Sequence, residues 1–209
     1  MRIIHFDTVT STNDVAKELI RAGRVSEPVC VSAREQSAGR GTADREWVSP
    51  RDAGIYISII DPCGGQANAE TTQYTQAAGV ACAEVLHGQF GIDVTLRGIN
   101  DLYVGERKLG GILTETLVER GRLLAVITGV GINTRRAERM LPADAAEPIT
   151  LEEIVPVERL SQVDGDALLF RLADAIERWN RVVCGGNSQS MDQAVARWRQ
   201  VQSRSGDRG

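Results

Sequence analysis

Four apolar runs follow one another between residues 92 and 133, and they constrain the fold more than any other feature of the chain. The runs cover 92–97, 101–104, 108–118 and 122–133. The dipeptides "GE" at 105–106 and "RG" at 120–121 separate the last three runs, and each fits a hairpin turn. Because a tight turn joins antiparallel neighbours, this region predicts an antiparallel meander.

Apolar patterns elsewhere predict three further strands and several helices. The strands cover 2–9, 28–36 and 54–61, and the last alternates isoleucine with Tyr56 and Ser58, which is typical of a half-buried strand. The predicted helices cover 11–23, 68–90, 150–153, 166–180 and 191–202. Strands mixed with segregated helices indicate an α+β fold with a mixed, largely antiparallel sheet and helices packed on it.

Composition limits the classes of protein that this chain can belong to. With 209 residues and 42% hydrophobic residues, we expect one domain over 1–203 and a disordered tail over 204–209. The net charge of -4 gives no basic field for nucleic acid, so neither DNA nor RNA is expected as a partner. No apolar run suits a membrane span or a secretion signal, which predicts a cytoplasmic protein whose four scattered cysteines are free thiols.

Several common catalytic motifs are absent from the sequence. It contains no GxxxxGKS/T, no HExxH and no GxSxG, and its only histidines are His5 and His87. "GVGIN" at 129–133 has two glycines of a dinucleotide fingerprint but lacks the third, and the residues after it show little helical periodicity. These absences disfavour histidine-based nucleophilic catalysis and a Rossmann fold.

Two polar segments in the first quarter of the chain suit a polar or anionic ligand. "STN" at 11–13 places two hydroxyls and an amide at a strand-to-helix junction, where they either cap the helix or bind a ligand. The loop "SAGRGTADREW" at 37–47 joins glycines, which allow close approach of backbone N–H groups, to Arg40 and Arg45, which suit phosphate or carboxylate. The same loop is also consistent with a flexible surface turn.

A third segment, "RGINDLYVGERKLGGILTE" at 97–115, adds acid, base and glycine. Asn100 and Asp101 open one strand and Lys108 opens the next, which predicts an oxygen ligand for Mg²⁺ and an ammonium at adjacent ends of a hairpin. Glycines 110 and 111 are unusual inside a strand and favour the close approach of a ligand. An exposed hairpin with ordinary charges is the alternative interpretation.

Together these segments resemble the biotin protein ligase family. Its members carry "STN", a Q-x-x-GRG loop ending in R-x-W-x-SP, a K-W-P-N-D segment, K-L-GGIL-x-E and a G-x-G-I-N strand. The matching residues here occur in the same order: Ser11–Asn13, Gln36–Gly41, Arg45, Trp47, Ser49, Pro50, Asn100, Asp101, Lys108–Leu113, Glu115 and Gly129–Asn133. The resemblance extends to the short helix after residue 149 and the later helices, so it implies the family's catalytic domain.

The resemblance implies a two-step ligase that uses ATP, biotin and Mg²⁺. Biotin is first activated as biotinyl-5'-AMP, and a lysine of a biotin carboxyl carrier protein, as in acetyl-CoA carboxylase, then takes the biotinyl group. Lys108 and Arg40 are implied as the catalytic cations and Asp101 as the metal ligand. The implied biotin-binding residues are Ser11, Thr12, Asn13, Gln36, Arg40, Gly41, Thr42, Lys108 and Gly111. The implied nucleotide-binding residues are Arg45, Asn100, Asp101 and Asn133.

The chain departs from the family pattern at two places. In the family loop GRGRxGR, an arginine stands where this chain has Thr42 and a glycine where it has Asp44, and the family's K-W-P is replaced by Arg97-Gly98-Ile99. We therefore expect intact adenylation chemistry with a weaker hold on the acyl-adenylate. Trp47 is expected to anchor the loop, with a role as ligand wall as the second interpretation.

Two other functions remain open on the sequence alone. One is a ligase or transferase for lipoate or octanoate, although those acids need a longer apolar slot. The other is a non-catalytic protein that binds biotin or biotinyl-AMP. The length leaves no room for the DNA-binding winged helix of some family members and little for their C-terminal barrel. What that barrel contributes to closing the ATP site is therefore expected either to come from elsewhere, such as a partner in a homodimer, or to be absent.

Overall fold

A computed structural model describes residues 1–43, 45–63, 70–138, 145–160 and 165–185, together with residues 193 and 195. Seven strands form one sheet in the order β1-β2-β3-β7-β6-β5-β4, in which β1 and β2 are parallel and all other neighbours are antiparallel. The strands are β1 Arg2–Val9, β2 Val29–Gln36, β3 Gly54–Pro62, β4 Thr95–Arg97, β5 Asp101–Val104, β6 Arg107–Glu119 and β7 Arg122–Asn133. The helices are α1 Thr12–Arg21, α2 Thr71–Phe90, α3 Leu151–Ile154, α4 Val157–Leu160 and α5 Gly165–Cys184.

This architecture confirms the predicted α+β fold with a mixed, largely antiparallel sheet. The meander from β4 to β7 forms with turns at both predicted dipeptides. Pro156 follows α3 as predicted, and Thr150 and Glu153 form the expected capping box at its start. Helix α4 is not predicted by the sequence pattern, because it is a single turn without an amphipathic repeat.

Helices cover both faces of the sheet. The larger hydrophobic core joins one face to α2 and α5, whose inward side chains include Leu86, Leu172 and Ile176. A smaller core packs α1 against the other face. The prediction of a half-buried β3 is wrong, because β3 lies in the middle of the sheet and both its faces are buried.

Some predictions concern residues that the structure does not describe. The predicted helix over 191–202 lies almost entirely outside the described residues, although Val195 is buried against the larger core. Asp44 and the predicted tail over 204–209 also lie outside them. Among the helices of the described part, none has the length and apolar character needed to cross a bilayer. The four cysteines are free thiols, as expected.

Candidate active site

A cavity of about 590 Å³ lies on the sheet face that carries α1. Its walls come from the start of α1, the loop after β2, strands β5 to β7 and residues 145–148. The structure thus brings together residues far apart in sequence. Every residue that the family resemblance implies for biotin or nucleotide lines this cavity: Ser11, Thr12, Asn13, Gln36, Arg40, Gly41, Thr42, Arg45, Asn100, Asp101, Lys108, Gly111 and Asn133.

One end of the cavity carries a chain of amide and hydroxyl groups. Gln36 Oε1 accepts hydrogen bonds from the backbone N–H of Thr12 at 2.9 Å and from its hydroxyl at 3.2 Å. Gln36 Nε2 donates to Ser49 Oγ at 2.8 Å. Because these bonds use both ends of the Gln36 amide, its orientation is fixed before any ligand binds.

The start of α1 does not use Ser11 as an ordinary capping residue. Ser11 occupies the N-cap position, but its side chain makes no capping hydrogen bond, although the residue is only 3% exposed. Its backbone carbonyl accepts the N–H groups of Asp14 and Val15 instead. Since Ser11 lines the cavity, the geometry favours the ligand-binding interpretation of "STN" over simple capping.

Glycines on β6 and β7 form the floor of the cavity beneath Trp47. Gly111 and Gly131 pair across the two strands, and a Cβ at Gly131 would overlap the Trp47 indole. A Cβ at Gly129 would lie 2.5 Å from Asn13 Oδ1. These glycines therefore let Trp47 and Asn13 lie directly on the sheet. Trp47 both anchors the loop and lines the cavity, which unites its two predicted roles.

Gly110 has a different explanation from the one that the sequence suggested. A Cβ there would lie 2.7 Å from the carbonyl oxygen of Gly131 on the neighbouring strand. The two adjacent glycines therefore do not both serve the close approach of a ligand. Gly110 allows tight packing within the sheet, whereas Gly111 faces Trp47 and the cavity.

Lys108 enters the cavity from an irregular point in the sheet. Lys108 pairs with Tyr103 and Gly110 with Leu102, so Leu109 is an extra residue on β6, as in a β-bulge. The Lys108 ammonium lies 2.8 Å from Asp101 Oδ1 and 5.6 Å from the centre of the Trp47 ring. The predicted meeting of the acid and the ammonium is confirmed, but the backbones of Asp101 and Lys108 do not start at adjacent ends of the hairpin, because Asp101 pairs with Gly111 at the open end. The long lysine side chain spans the difference.

Arg40 is held between two carboxylates. Its guanidinium donates to Asp14 Oδ2 at 2.6 Å and to Glu115 Oε2 at 3.1 Å. These hydrogen bonds, that to Asp14 above all, raise the pKa of Arg40 further above its usual value, although partial burial opposes the shift. Arg40 is thus a permanent cation tied to both α1 and β6.

The rest of the loop is a tight turn that contacts the residue before β5. The Arg45 guanidinium donates to the Thr42 carbonyl at 3.1 Å and to its hydroxyl at 2.9 Å. Asn100 Nδ2 reaches the same hydroxyl at 3.3 Å and Asp101 Oδ1 at 3.1 Å. Thr42 therefore joins the loop to Asn100 in the turn that leads into β5.

The donor set at Asp101 fits a metal ion only in part. Asp101 is a single carboxylate beside the Asn100 amide, and the described residues contain no group of three or more His, Cys, Asp or Glu side chains placed to hold a metal. Mg²⁺ in nucleotide sites commonly uses one or two carboxylates and completes its shell with phosphate oxygens and water. This arrangement suits an ion that arrives with phosphates.

The sequence did not predict Ser58 and Asp14, which contact residues of the cavity, or Lys17, which does not line the cavity but reaches Glu115. Ser58 lies within the sheet, and its hydroxyl lies 2.7 Å from Thr12 Oγ1 and 2.5 Å from Asn13 Oδ1. Asp14 holds Arg40, and Lys17 reaches Glu115. A small polar residue among the isoleucines of β3 is a signal for Ser58, whereas Asp14 and Lys17 look like ordinary helix-surface charges.

Comparison with known proteins finds one family throughout. A family model described as "Biotin/lipoate A/B protein ligase family" matches residues 5–133. The chain is 32% identical over 176 residues to a biotin acetyl-CoA-carboxylase ligase of Paracoccus denitrificans, covering 81% of this chain and 69% of that protein. It is 31% identical over 166 residues to the bifunctional ligase/repressor BirA of Bacillus spizizenii, covering 79% of this chain. It spans only 48% of that BirA, about half its length.

Solved structures agree with the sequence comparisons. The biotin protein ligase of Aquifex aeolicus, in complex with biotin and ATP, superposes with a TM-score of 0.68 at 27% identity, covering 87% of this chain and 71% of that one. The family model covers more than half of this chain, from within β1 to the end of β7. The chain therefore belongs to the biotin/lipoate A/B protein ligase family.

Proposed function

We propose that this protein is an ATP-dependent biotin–protein ligase. It forms biotinyl-5'-AMP from biotin and ATP and transfers the biotinyl group to a lysine of a biotin carboxyl carrier protein, such as that of acetyl-CoA carboxylase. One observation carries the proposal: a single cavity holds an amide and hydroxyl surface at Thr12 and Gln36 together with the cations Lys108 and Arg40. Biotin has matching parts, a neutral urea ring and a carboxylate.

The first half-reaction needs cations between two anions. A biotin carboxylate oxygen attacks the α-phosphorus of ATP, the bond to the bridging oxygen breaks, and pyrophosphate leaves. Lys108 and Arg40 reduce the repulsion between carboxylate and phosphate and stabilise the charge that develops. Arg45, Asn100 and Asn133 lie where they can orient the nucleotide.

Both cations begin the reaction in ion pairs with the protein's own carboxylates. Lys108 lies beside Asp101, and Arg40 lies between Asp14 and Glu115. The ion pairs hold the cations at the cavity before the ligand arrives, so little reorganisation is needed on binding. When Mg²⁺ is bound, Asp101 would hold it, and the ion would neutralise phosphate charge.

In the second half-reaction the carrier lysine must attack as a neutral amine. Its nitrogen bonds to the acyl carbon of biotinyl-5'-AMP, the bond between acyl carbon and phosphate oxygen breaks, and AMP leaves while the amine loses a proton. Cavity residues that hold the adenylate also protect this reactive anhydride from water. The glycine loop lines the cavity through Arg40, Gly41 and Thr42, which supports this role.

A transfer assay tests the whole proposal. A biotin carboxyl carrier domain is incubated with this protein, ATP, Mg²⁺ and biotin, and its mass is measured alongside pyrophosphate release. Biotinylation of the carrier lysine is the expected result. Release with lipoate or octanoate instead of biotin would assign another acid, and binding of biotin without release would assign a non-catalytic binding protein.

Two lysine variants show whether the activity belongs to this cavity. Lys108→Met removes the ammonium that lines the cavity and should lower the rate of pyrophosphate release by about 10²–10³-fold. Lys17→Met is the matched control, since Lys17 also pairs with a carboxylate, at 2.6 Å, but does not line the cavity. Equal activity of the two variants would contradict the assignment of Lys108.

A further inference from the structure

We infer that Glu115 is a positioning residue that fixes the amide of Asn13 for biotin binding while it holds Arg40. The inference deepens the proposed function and rests on it. Glu115 lies on β6, and its side chain is 26% exposed. It accepts hydrogen bonds from three residues that belong to two different elements: Lys17 Nζ at 2.6 Å, Asn13 Nδ2 at 2.7 Å and Arg40 at 3.1 Å.

The Glu115 carboxylate remains ionised in this setting. Burial opposes ionisation, but hydrogen bonds from Lys17 and Asn13 outweigh it and keep the pKa of Glu115 below its usual value. An ionised carboxylate can only accept hydrogen bonds. Asn13 must therefore present its NH₂ group, and not its carbonyl oxygen, to Glu115.

This constraint passes to the ligand-binding end of the cavity. With its NH₂ group toward Glu115, Asn13 directs Oδ1 toward Ser58 Oγ at 2.5 Å. The Ser58 hydroxyl has one proton and two acceptors within reach, Asn13 Oδ1 and Thr12 Oγ1. The Thr12 hydroxyl in turn donates to Gln36 Oε1. Glu115, with the Leu113 carbonyl that accepts from the same NH₂ group at 3.3 Å, thus orients Asn13 at one end of this chain of hydrogen bonds. The Thr12 backbone N–H and Ser49 orient Gln36 at its other end.

Glu115→Gln is the direct test because it keeps the size of the side chain. A glutamine can donate as well as accept, so the Asn13 NH₂ group loses the shorter of its two obligatory acceptors and is held only by the Leu113 carbonyl, at 3.3 Å. We expect KM for biotin in pyrophosphate release to rise about tenfold, the effect of losing a hydrogen bond to a charged group. KM for ATP should change much less, because Asp14 still holds Arg40.

A reciprocal exchange separates positioning from a general loss of structure. Asn13→Asp alone places two carboxylates in contact and should weaken biotin binding strongly. Asn13→Asp combined with Glu115→Gln reverses the hydrogen bond and restores an acceptor toward Ser58 and a negative charge beside Arg40. It also turns a carboxylate oxygen toward the Leu113 carbonyl, so it should recover part of the biotin affinity. No recovery in the double variant would overturn the inference.

Two further measurements complete the test. Lys17→Met removes one ion pair of Glu115 and leaves the hydrogen bond between Glu115 and Asn13. If this variant raised the KM for biotin as much as Glu115→Gln does, the charge of Glu115 and not its hydrogen bond to Asn13 would matter. That result would overturn the inference. The side-chain NH₂ resonances of Asn13, observed by NMR without ligand, should move in Glu115→Gln and stay in Lys17→Met. If the unaltered protein released no pyrophosphate in the presence of biotin, the proposed function would be refuted. The NMR resonances of Asn13 would still show whether Glu115 fixes its amide.

Discussion

The loop departs from the family pattern at Thr42 and Asp44, and Thr42 is the one of the two that the structure describes. Its hydroxyl accepts hydrogen bonds from Arg45 and Asn100, so the side chain joins the loop to the turn before β5 and adds no charge to the cavity. An arginine at this position would add a guanidinium that can pair with phosphate. The sequence hypothesis of a weaker hold on the acyl-adenylate remains consistent with this geometry.

Thr42→Arg should therefore bind a non-hydrolysable biotinyl-AMP analogue more tightly than the unaltered protein. An extra charge-assisted hydrogen bond corresponds to about a tenfold lower Kd. Isothermal titration calorimetry measures the change. Thr116→Arg is the control, since Thr116 is an exposed residue of β6 that adds the same charge away from the cavity. If Thr42→Arg brings no gain, or if both variants gain equally, the hypothesis is wrong.

Single residues of the site could be read from the sequence only where they belong to a local motif. "STN", the glycine loop and the Lys108 segment predicted residues that all line the cavity. Their present partners could not be predicted, because Arg40 contacts Asp14 and Glu115 across three separate elements. Such ion pairs depend on how the elements pack, and no local spacing encodes that.

At the level of elements, the contact between β3 and α5 contains a buried acid with no role in the proposed reaction. Asp61 on β3 is 6% exposed and accepts a hydrogen bond from Asn180 Nδ2 on α5 at 2.6 Å. Asn180 Oδ1 is buried and has no partner within the described part of the chain. Burial raises the pKa of Asp61 to about 6, although the bond from Asn180 opposes the shift.

The raised pKa predicts how stability depends on pH. Between pH 4 and 6 the unfolded chain loses the Asp61 proton while the folded protein keeps it, so the contribution of Asp61 to the free energy of unfolding falls as pH rises. Because the pKa of Asp61 rises from the usual 3.8 to about 6 on folding, the free energy of unfolding falls by about 2–3 kcal/mol over this pH range. Above pH 6 it stays constant.

Asp61→Asn removes this titration and offers an NH₂ donor to Asn180 Oδ1. We expect the variant to be as stable as the unaltered protein near pH 4 and more stable by about 2 kcal/mol at pH 7.5. Urea unfolding of both proteins at pH 4 and pH 7.5 measures the difference in free energy of unfolding between them. The other carboxylates titrate alike in both proteins and do not contribute to this difference. Destabilisation of Asp61→Asn at pH 7.5 would show that the ionised carboxylate is preferred at this position.

Hydrophobic periodicity predicted most elements, but not their arrangement. Apolar patterns indicated every strand of the sheet, together with α1 and α5, which each present an apolar face. Helix α2 is buried on most sides, and its long alanine-rich run without proline indicated it. The parallel pairing of β1 with β2 and the central place of β3 could not be predicted, since they depend on contacts between distant segments. For the same reason the burial of the second face of β3 was missed.

At the scale of the whole molecule, the cavity couples the sheet to α1 and to the loop after β2. Lys108 reaches it from β6 and Arg40 from the loop, and each is held by a carboxylate of another element. A ligand that bridges the two cations therefore adds a link between the loop and the sheet to the packing and the ion pairs that already join them. Binding energy of this kind stabilises the folded state by mass action.

Biotin and ATP should consequently stabilise the protein more together than the sum of their separate effects. Each ligand at about 100 times its Kd adds about 2.7 kcal/mol to the free energy of unfolding, whereas conversion to a joined adenylate places one ligand across both cations. Thermal unfolding with biotin, with ATP and with both, in the presence of Mg²⁺ and a pyrophosphatase, measures the three shifts in Tm. In Lys108→Met, mixed with both ligands immediately before heating, the joint shift should fall toward the sum of the separate ones, because the adenylate forms about 10²–10³-fold more slowly. An additive joint shift in the unaltered protein would contradict the formation and retention of an adenylate in this cavity.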